Sequence, residues 1–255
     1  VEGEVSGILT IDKLSKHFGG LKAVNRVDTE VQEGELLGLI GPNGAGKTTI
    51  FNLISGFLRP TAGRIRFRGR EIQGLPPHRI AALGIGRTFQ IVKPFADLSV
   101  LDNVLAAYGH PFYPSLRAFN VRYRAPRFVA AAEEILEKTG LLSYADARAG
   151  DLPIGIKRQV EIARALALRP SLLLLDEPAT GLVHEEAVQL AGLIRRLHTE
   201  GITIILVEHN MPFAMSLCER IVVLAHGQVI AEGTPEEVRR NPAVIEAYLG
   251  HREND

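Results

Sequence analysis

Gly41-Pro42-Asn43-Gly44-Ala45-Gly46-Lys47-Thr48-Thr49 carries the strongest architectural signal in the chain. The apolar run Leu36–Ile40 before it predicts a short buried strand. Ile50-Phe51-Asn52-Leu53-Ile54 after it has the apolar spacing of a helix's first turns. Strand, glycine-rich turn and helix give the pattern G-x-x-x-x-G-K-[ST] its mechanism. Gly41, Gly44 and Gly46 let the backbone wrap closely around a polyphosphate, in conformations that a Cβ resists. Pro42, Asn43 and Ala45 complete the loop, and its N–H groups and those of Thr49 face the phosphates at the positive end of the helix. Lys47 reaches the β- and γ-phosphates, and the Thr48 hydroxyl is placed to hold Mg²⁺. The stretch implies binding of a nucleoside triphosphate.

The remaining composition narrows the class. The chain has 255 residues, of which 46% are hydrophobic and 23% charged, as in an ordinary globular protein with a full core. Lys+Arg and Asp+Glu balance at 29 each, so nothing in the net charge calls for a nucleic-acid partner. A single cysteine, Cys218, excludes an internal disulfide and fits a reducing compartment. It is expected to act as a small hydrophobe in a helix over Phe213–Glu219. No apolar run approaches the roughly 20 residues of a membrane-spanning helix. Val1-Glu2-Gly3-Glu4 has no secretion-signal character. A cytoplasmic protein is expected, with any membrane connection made through a partner.

Strand-like alternation at Ile8–Leu14 and Ala23–Val31 precedes the loop, and Gly63–Phe67 and Gly84–Phe89 read as further strands. From about Val100 to Leu142 the periodicity is helical, around Ser99–Leu105 and Ala130–Lys138. Between these helices lies an aromatic, arginine-studded connector, Tyr108–Phe128, read as a surface arm with snorkelling arginines. After Leu152 helices and strands alternate again: helices at Arg158–Leu168 and Glu185–Glu200, strands at Ser171–Leu175, Gly201–Val207 and Arg220–Leu224. A hairpin at His226-Gly227-Gln228 and a Thr234-capped helix close the chain. An α/β phosphate-loop core with a helical insertion is the economical architecture.

Leu172-Leu173-Leu174-Leu175-Asp176-Glu177 is the second strong signal. Its leucines fit a strand buried on both faces. Asp176 then emerges at the carboxyl end, where open α/β sheets bind ligands, placed to hold the Mg²⁺ hydration shell opposite Thr48. Glu177, one residue on, is the candidate base for an attacking water. Gln90 and His209 close two similar strands. If those strands neighbour the phosphate-loop strand, Gln90 senses metal and water and His209 bonds a terminal phosphate oxygen.

These elements in this order resemble the ATP-binding cassette (ABC) family of transport ATPases, over about Ile8 to Leu249. The resemblance implies one cassette domain over 8–250, of the P-loop NTPase class. Its RecA-like α/β core lies at about 8–90 and 159–250, with an antiparallel β subdomain and an inserted α-helical subdomain at about 91–158. It implies that Phe18 stacks on adenine. Leu152–Arg158, with Pro153 and Gly155, then plays the signature segment that completes the ATP site of a second subunit, in a head-to-tail dimer. The family's Leu-Ser-Gly-Gly-Gln is replaced here by Leu152-Pro153-Ile154-Gly155-Ile156, so the serine hydroxyl is lost. Val183 stands where Asp or Asn is common.

Phe18-Gly19-Gly20-Leu21-Lys22, Gly86-Arg87-Thr88-Phe89-Gln90, Val207-Glu208-His209-Asn210-Met211 and the ending Tyr248-Leu249-Gly250 are similar to cassettes of branched-chain amino acid importers. The implied assembly is a second cassette, identical or paralogous, with permeases at the inner face of the cell membrane and indirectly an external binding protein. Residues about Ile91–Asn103 would form the groove that receives a permease helix. The lipopolysaccharide-exporter cassette shares several of these features and is the alternative. A non-transport ABC ATPase acting on DNA or ribosomes would carry a long coiled coil or tandem cassettes. A GTP switch would need Asn-Lys-x-Asp after the loop, whereas Asn25-Arg26-Val27-Asp28 precedes it.

Overall fold

The computed structural model describes residues 7–89, 94–108 and 124–249. Gln90, the following positions 91–93 and positions 109–123 of the connector lie outside them. The chain opens with a hairpin of β1 (Leu9–Phe18) and β2 (Leu21–Val31). Strand β3 (Leu36–Ile40) runs through the phosphate loop into α1 (Lys47–Ile54). Strands β4 (Ala62–Phe67) and β5 (Arg70–Glu71) join the hairpin in an antiparallel sheet of order β2-β1-β4-β5. Helix α2 (Pro77–Ala82), with Pro77 in its first turn, precedes β6 (Ile85–Arg87).

Three helices follow, α3 (Val100–Tyr108), α4 (Pro126–Lys138) and α5 (Ile154–Leu166). Then come β7 (Leu172–Asp176), α6 (His184–Thr199), β8 (Thr203–Glu208), α7 (Met211–Leu217), β9 (Arg220–Ala225) and β10 (Gln228–Gly233). Helices α8 (Pro235–Arg240) and α9 (Pro242–Leu249) finish the described chain. The second sheet has the order β10-β9-β3-β8-β7-β6, parallel except between β9 and β10.

Alternation along the parallel strands builds two cores at once. Leu37, Leu39, Leu172, Leu174, Ile205 and Val207 face a core shared with α1 and the antiparallel sheet. Their neighbours Leu36, Ile40, Leu173, Leu175, Ile204 and Leu206 face the other side, among α5, α6 and α7. A strand buried on both faces therefore reads as an unbroken apolar run. A third core gathers Val100, Val104, Ala132, Leu136, Val160 and Ala163 from α3, α4 and α5. Because α5 sends Ile162 and Leu166 to the second core and Val160 and Ala163 to the third, it belongs to both units.

Four details differ from expectation. Helix α5 begins at Ile154, not Arg158: Pro153, extended at φ −57° and ψ 157°, presets the entry at the N-cap position. Cys218 is the C-cap of α7 rather than one of its helical residues. It is buried beside Gly38, and burial pushes its thiol up to about 12, so it is an inert hydrophobe. Helix α9 has no counterpart in the periodicity reading, and Val244 anchors it to the second core. Finally, β8 neighbours β3, whereas β6 lies at the sheet edge beyond β8 and β7. The shared-neighbour condition holds for the strand before His209 and fails for the one leading to Gln90.

Candidate functional site

The phosphate loop leaves β3 in backbone conformations that only glycine fits. Gly46 has φ 105°, and a Cβ there would stand 2.4 Å from the Ala23 carbonyl; at Gly41 it would stand 2.2 Å from that of Leu224. The loop therefore nests on β2 and on the end of β9. The Gly227 N–H donates to the Ala45 carbonyl at 3.1 Å, which seats the β9–β10 turn against it as well. Lys47 is buried, and its Nζ donates to the Gly41 and Pro42 carbonyls at 2.7 and 3.0 Å. Burial pulls the Lys47 ammonium below its ordinary value, and the charges of Glu177, Asp176 and Glu208 pull it back.

A cleft of about 530 Å³ opens over this loop. Its lining brings together Phe18, Asn43, Gly44, Ala45, Gly46, Lys47, Thr48, Thr49 and Glu177, all singled out in the sequence. Phe18 ends β1 at the hairpin turn, half exposed, with Lys16 Nζ 5.0 Å from its ring centroid. Leu21, Lys22, Ala23 and His226 also line the cleft and were missed as site residues. The first three follow from the hairpin that carries Phe18. His226 arrives through the Gly227–Ala45 contact, which joins segments far apart in sequence and leaves no local signal.

At the carboxyl end of β7, Asp176 is 1% exposed, and its Oδ2 accepts from Arg87 Nη2 at 2.9 Å. Its Oδ1 is buried and has no hydrogen-bond partner among the described residues. Burial pushes the Asp176 carboxyl up, while Arg87 opposes the shift. In the sequence Arg87 stands within Gly86-Arg87-Thr88-Phe89-Gln90, which carries no local signal of this pairing. Glu177 follows at φ 46°, with its N–H donating to the Val207 carbonyl at 2.9 Å. Its Oε2 lies 3.5 Å from His209 Nδ1 and 3.4 Å from Thr180 Oγ1. Behind them Glu208 is fully buried and accepts from the Ala179 N–H at 2.9 Å; burial pushes its carboxyl up.

Mg²⁺ fits these residues: the buried Asp176 Oδ1 is an acceptor in want of a donor, and the Thr48 hydroxyl lines the adjacent cleft. Pro153 and Gly155 start α5 and are not among the cleft's lining residues. Gly155 instead packs on α6, where an added Cβ would stand 2.7 Å from Glu186 Oε1. Gln90 lies outside the described residues.

A phosphate loop and an acidic strand end on a two-sided parallel sheet, with a helical unit alongside, define a phosphate-loop nucleotide-binding protein. The ABC transporter profile matches residues 24–180, and that of the "Branched-chain amino acid ATP-binding cassette transporter" matches residues 228–254. The chain is 44% identical over 251 residues to the high-affinity branched-chain amino acid transport ATP-binding protein BraF of Pseudomonas aeruginosa. That alignment covers 95% of this chain and 98% of the relative. An ATP-binding cassette of an ABC transporter solved in its ADP conformation superposes with a TM-score of 0.85 at 33% identity, covering 95% of this chain and 98% of that one. A cassette solved as a dimer in a post-hydrolysis state with ADP and Pi superposes at 0.76 and 25% identity, covering 89% of this chain and 98% of that one. The chain belongs to the ABC transporter family, as an ATP-binding cassette.

Proposed function

We propose that this chain is the ATP-hydrolysing subunit of an importer of branched-chain amino acids. The observation that carries the hydrolytic part is the meeting of phosphate loop, Phe18 and Glu177 on one cleft, with Asp176 the residue before Glu177 at the end of β7. The solute class rests on the likeness to BraF over nearly the whole chain and on the match at residues 228–254 to the branched-chain amino acid cassette family.

In this reading Phe18 stacks on adenine, the loop N–H groups and Lys47 hold the phosphates, and Thr48 and Asp176 would hold Mg²⁺. When bound, the metal neutralises charge on the β- and γ-phosphates. Glu177 orients the attacking water and accepts its proton, and His209 bonds the terminal phosphate. Pro153 and Gly155 belong to the segment that closes a second cassette's site. Closure on ATP and reopening after hydrolysis drive the permeases, a population shift between open and closed dimers. Among the described residues no helix is long and apolar enough to cross a membrane, so in this reading the chain sits on the inner membrane face through the permeases.

The test is co-expression with the neighbouring permease genes, reconstitution in vesicles and measurement of phosphate release. Stimulation by leucine, isoleucine or valine through a binding protein is expected. Assembly with permeases but no response to any of the three would remove the solute assignment, and recovery with no membrane protein would remove the transporter reading.

A further inference from the structure

The side chain of Arg87 at the end of β6 is 7% exposed and enclosed by three kinds of partner. Nη2 grips Asp176 Oδ2 at 2.9 Å. Nη1 donates to Asn52 Oδ1 at 2.8 Å and to Ser55 Oγ at 2.6 Å, on the last turn and C-cap of the helix that the phosphate loop opens. The guanidinium carbon lies 5.7, 5.6 and 5.2 Å from the ring centroids of Phe51, Phe57 and Phe89. Burying a cation is costly unless charge and hydrogen bonds compensate it. Here one carboxylate, two neutral oxygens and three aromatic faces offset part of that cost, while Nε has no hydrogen-bond partner among the described residues. A rigid planar fork can serve these acceptors at once, and a single ammonium cannot.

The pairing treats the two oxygens of Asp176 differently. Oδ2 is held by Arg87, and Oδ1 is buried with no hydrogen-bond partner among the described residues. We propose that Arg87 is a positioning residue for the metal site: it fixes the Asp176 carboxylate so that Oδ1 is presented to the Mg²⁺ hydration shell. Through Asn52 and Ser55 it also ties that carboxylate to the phosphate-loop helix, so the two halves of the metal site, Thr48 at the start of α1 and Asp176 at the end of β7, are held in one frame. The inference rests on the reading of Asp176 as a metal-holding residue.

The test uses the full chain with ADP and with Mn²⁺ as the metal probe. ADP affinity is measured in EDTA, and Mn²⁺ affinity of the ADP complex is measured by electron paramagnetic resonance. In Arg87→Met, metal-free ADP affinity is expected to stay within about twofold, because the phosphate loop keeps its own contacts. Mn²⁺ affinity is expected to fall about tenfold or more, the usual effect of removing an outer-shell partner of a metal ligand. Arg87→Lys keeps the charge and loses the fork, so it too is expected to bind Mn²⁺ more weakly.

Asp176→Asn separates the two levels of the argument. If it leaves Mn²⁺ affinity unchanged, the metal assignment of Asp176 falls and takes this inference with it. If it weakens Mn²⁺ while Arg87→Met does not, Arg87 is a packing residue alone. Wild-type Mn²⁺ affinity in Arg87→Lys would show that charge suffices and would overturn the orienting role. Should Arg87→Met fail to fold, Arg87→Lys decides the question.

Discussion

Glu177 adopts a left-handed backbone conformation, φ 46°, which costs a non-glycine residue roughly 1–3 kcal/mol. It is held there by its N–H bond to Val207, and its carboxylate is turned into the cleft beside His209. Glu177→Gln keeps the shape and removes the base, so phosphate release is expected to fall by about 10²- to 10⁴-fold with ATP affinity unchanged. Turnover at the wild-type rate would assign the base elsewhere. Glu208, one strand away, yields a prediction about pH. Its folded carboxyl holds a proton more tightly than the unfolded one, whose ordinary value is 4.5, because burial disfavours the charge. Protons therefore favour folding. That contribution is full below the ordinary value and is lost as pH rises through the folded one. Glu208→Gln keeps an oxygen for the Ala179 N–H and carries no charge. Its stability relative to wild type, read from the melting temperature, should rise as pH increases above the ordinary carboxyl value of 4.5. A gain that narrows with pH would contradict the sign.

At the scale of elements, two helices start without a side-chain cap at positions where the family resemblance puts polar residues. Val183 precedes α6, exposed, and only its own N–H is satisfied, by Glu186 Oε2 at 3.2 Å. An aspartate there would accept from the first-turn N–H groups and complete the reciprocal pair. Val183→Asp is therefore expected to stabilise the isolated chain by about 0.5–2 kcal/mol, read from the denaturant midpoint. Pro153 occupies the equivalent position before α5, and Pro153→Ser should act in the same direction. A midpoint that does not rise would mean that other groups already satisfy those N–H donors. Gly155 of α5 packs on Glu186 of α6, so the two substitutions act on touching helices and their effects need not add.

Over the whole molecule, local chemistry was legible in the sequence and distant pairing was not. The phosphate loop, the leucine strand with its acidic end and the Phe18 hairpin are each written in consecutive residues, and the cleft gathers Phe18, Asn43–Thr49 and Glu177 from them. The Arg87–Asp176 pair spans 89 positions, the His226 turn meets the loop through tertiary packing, and strand order decides that β6 lies at the edge. No periodicity encodes such contacts. The same geometry leads to a prediction about assembly. The cleft is lined from the β1–β2 hairpin, the phosphate loop, Glu177 and His226, with Pro153 and Gly155 absent from the lining. Ile154 and Val183 meanwhile expose apolar side chains at the starts of α5 and α6. If that segment serves a neighbouring cassette, ATP must join two chains, and blocking hydrolysis should trap them. Glu177→Gln with ATP and Mg²⁺ is expected to run at twice the 27.8 kDa of the single chain when alone, or as a one-to-one pair with a co-expressed paralogous cassette, and to return to monomer when the nucleotide is removed. Light scattering after size exclusion reads this directly. A monomer under ATP in both settings would mean that α5 completes no second site, and the closed-dimer reading would fall while ATP binding stood.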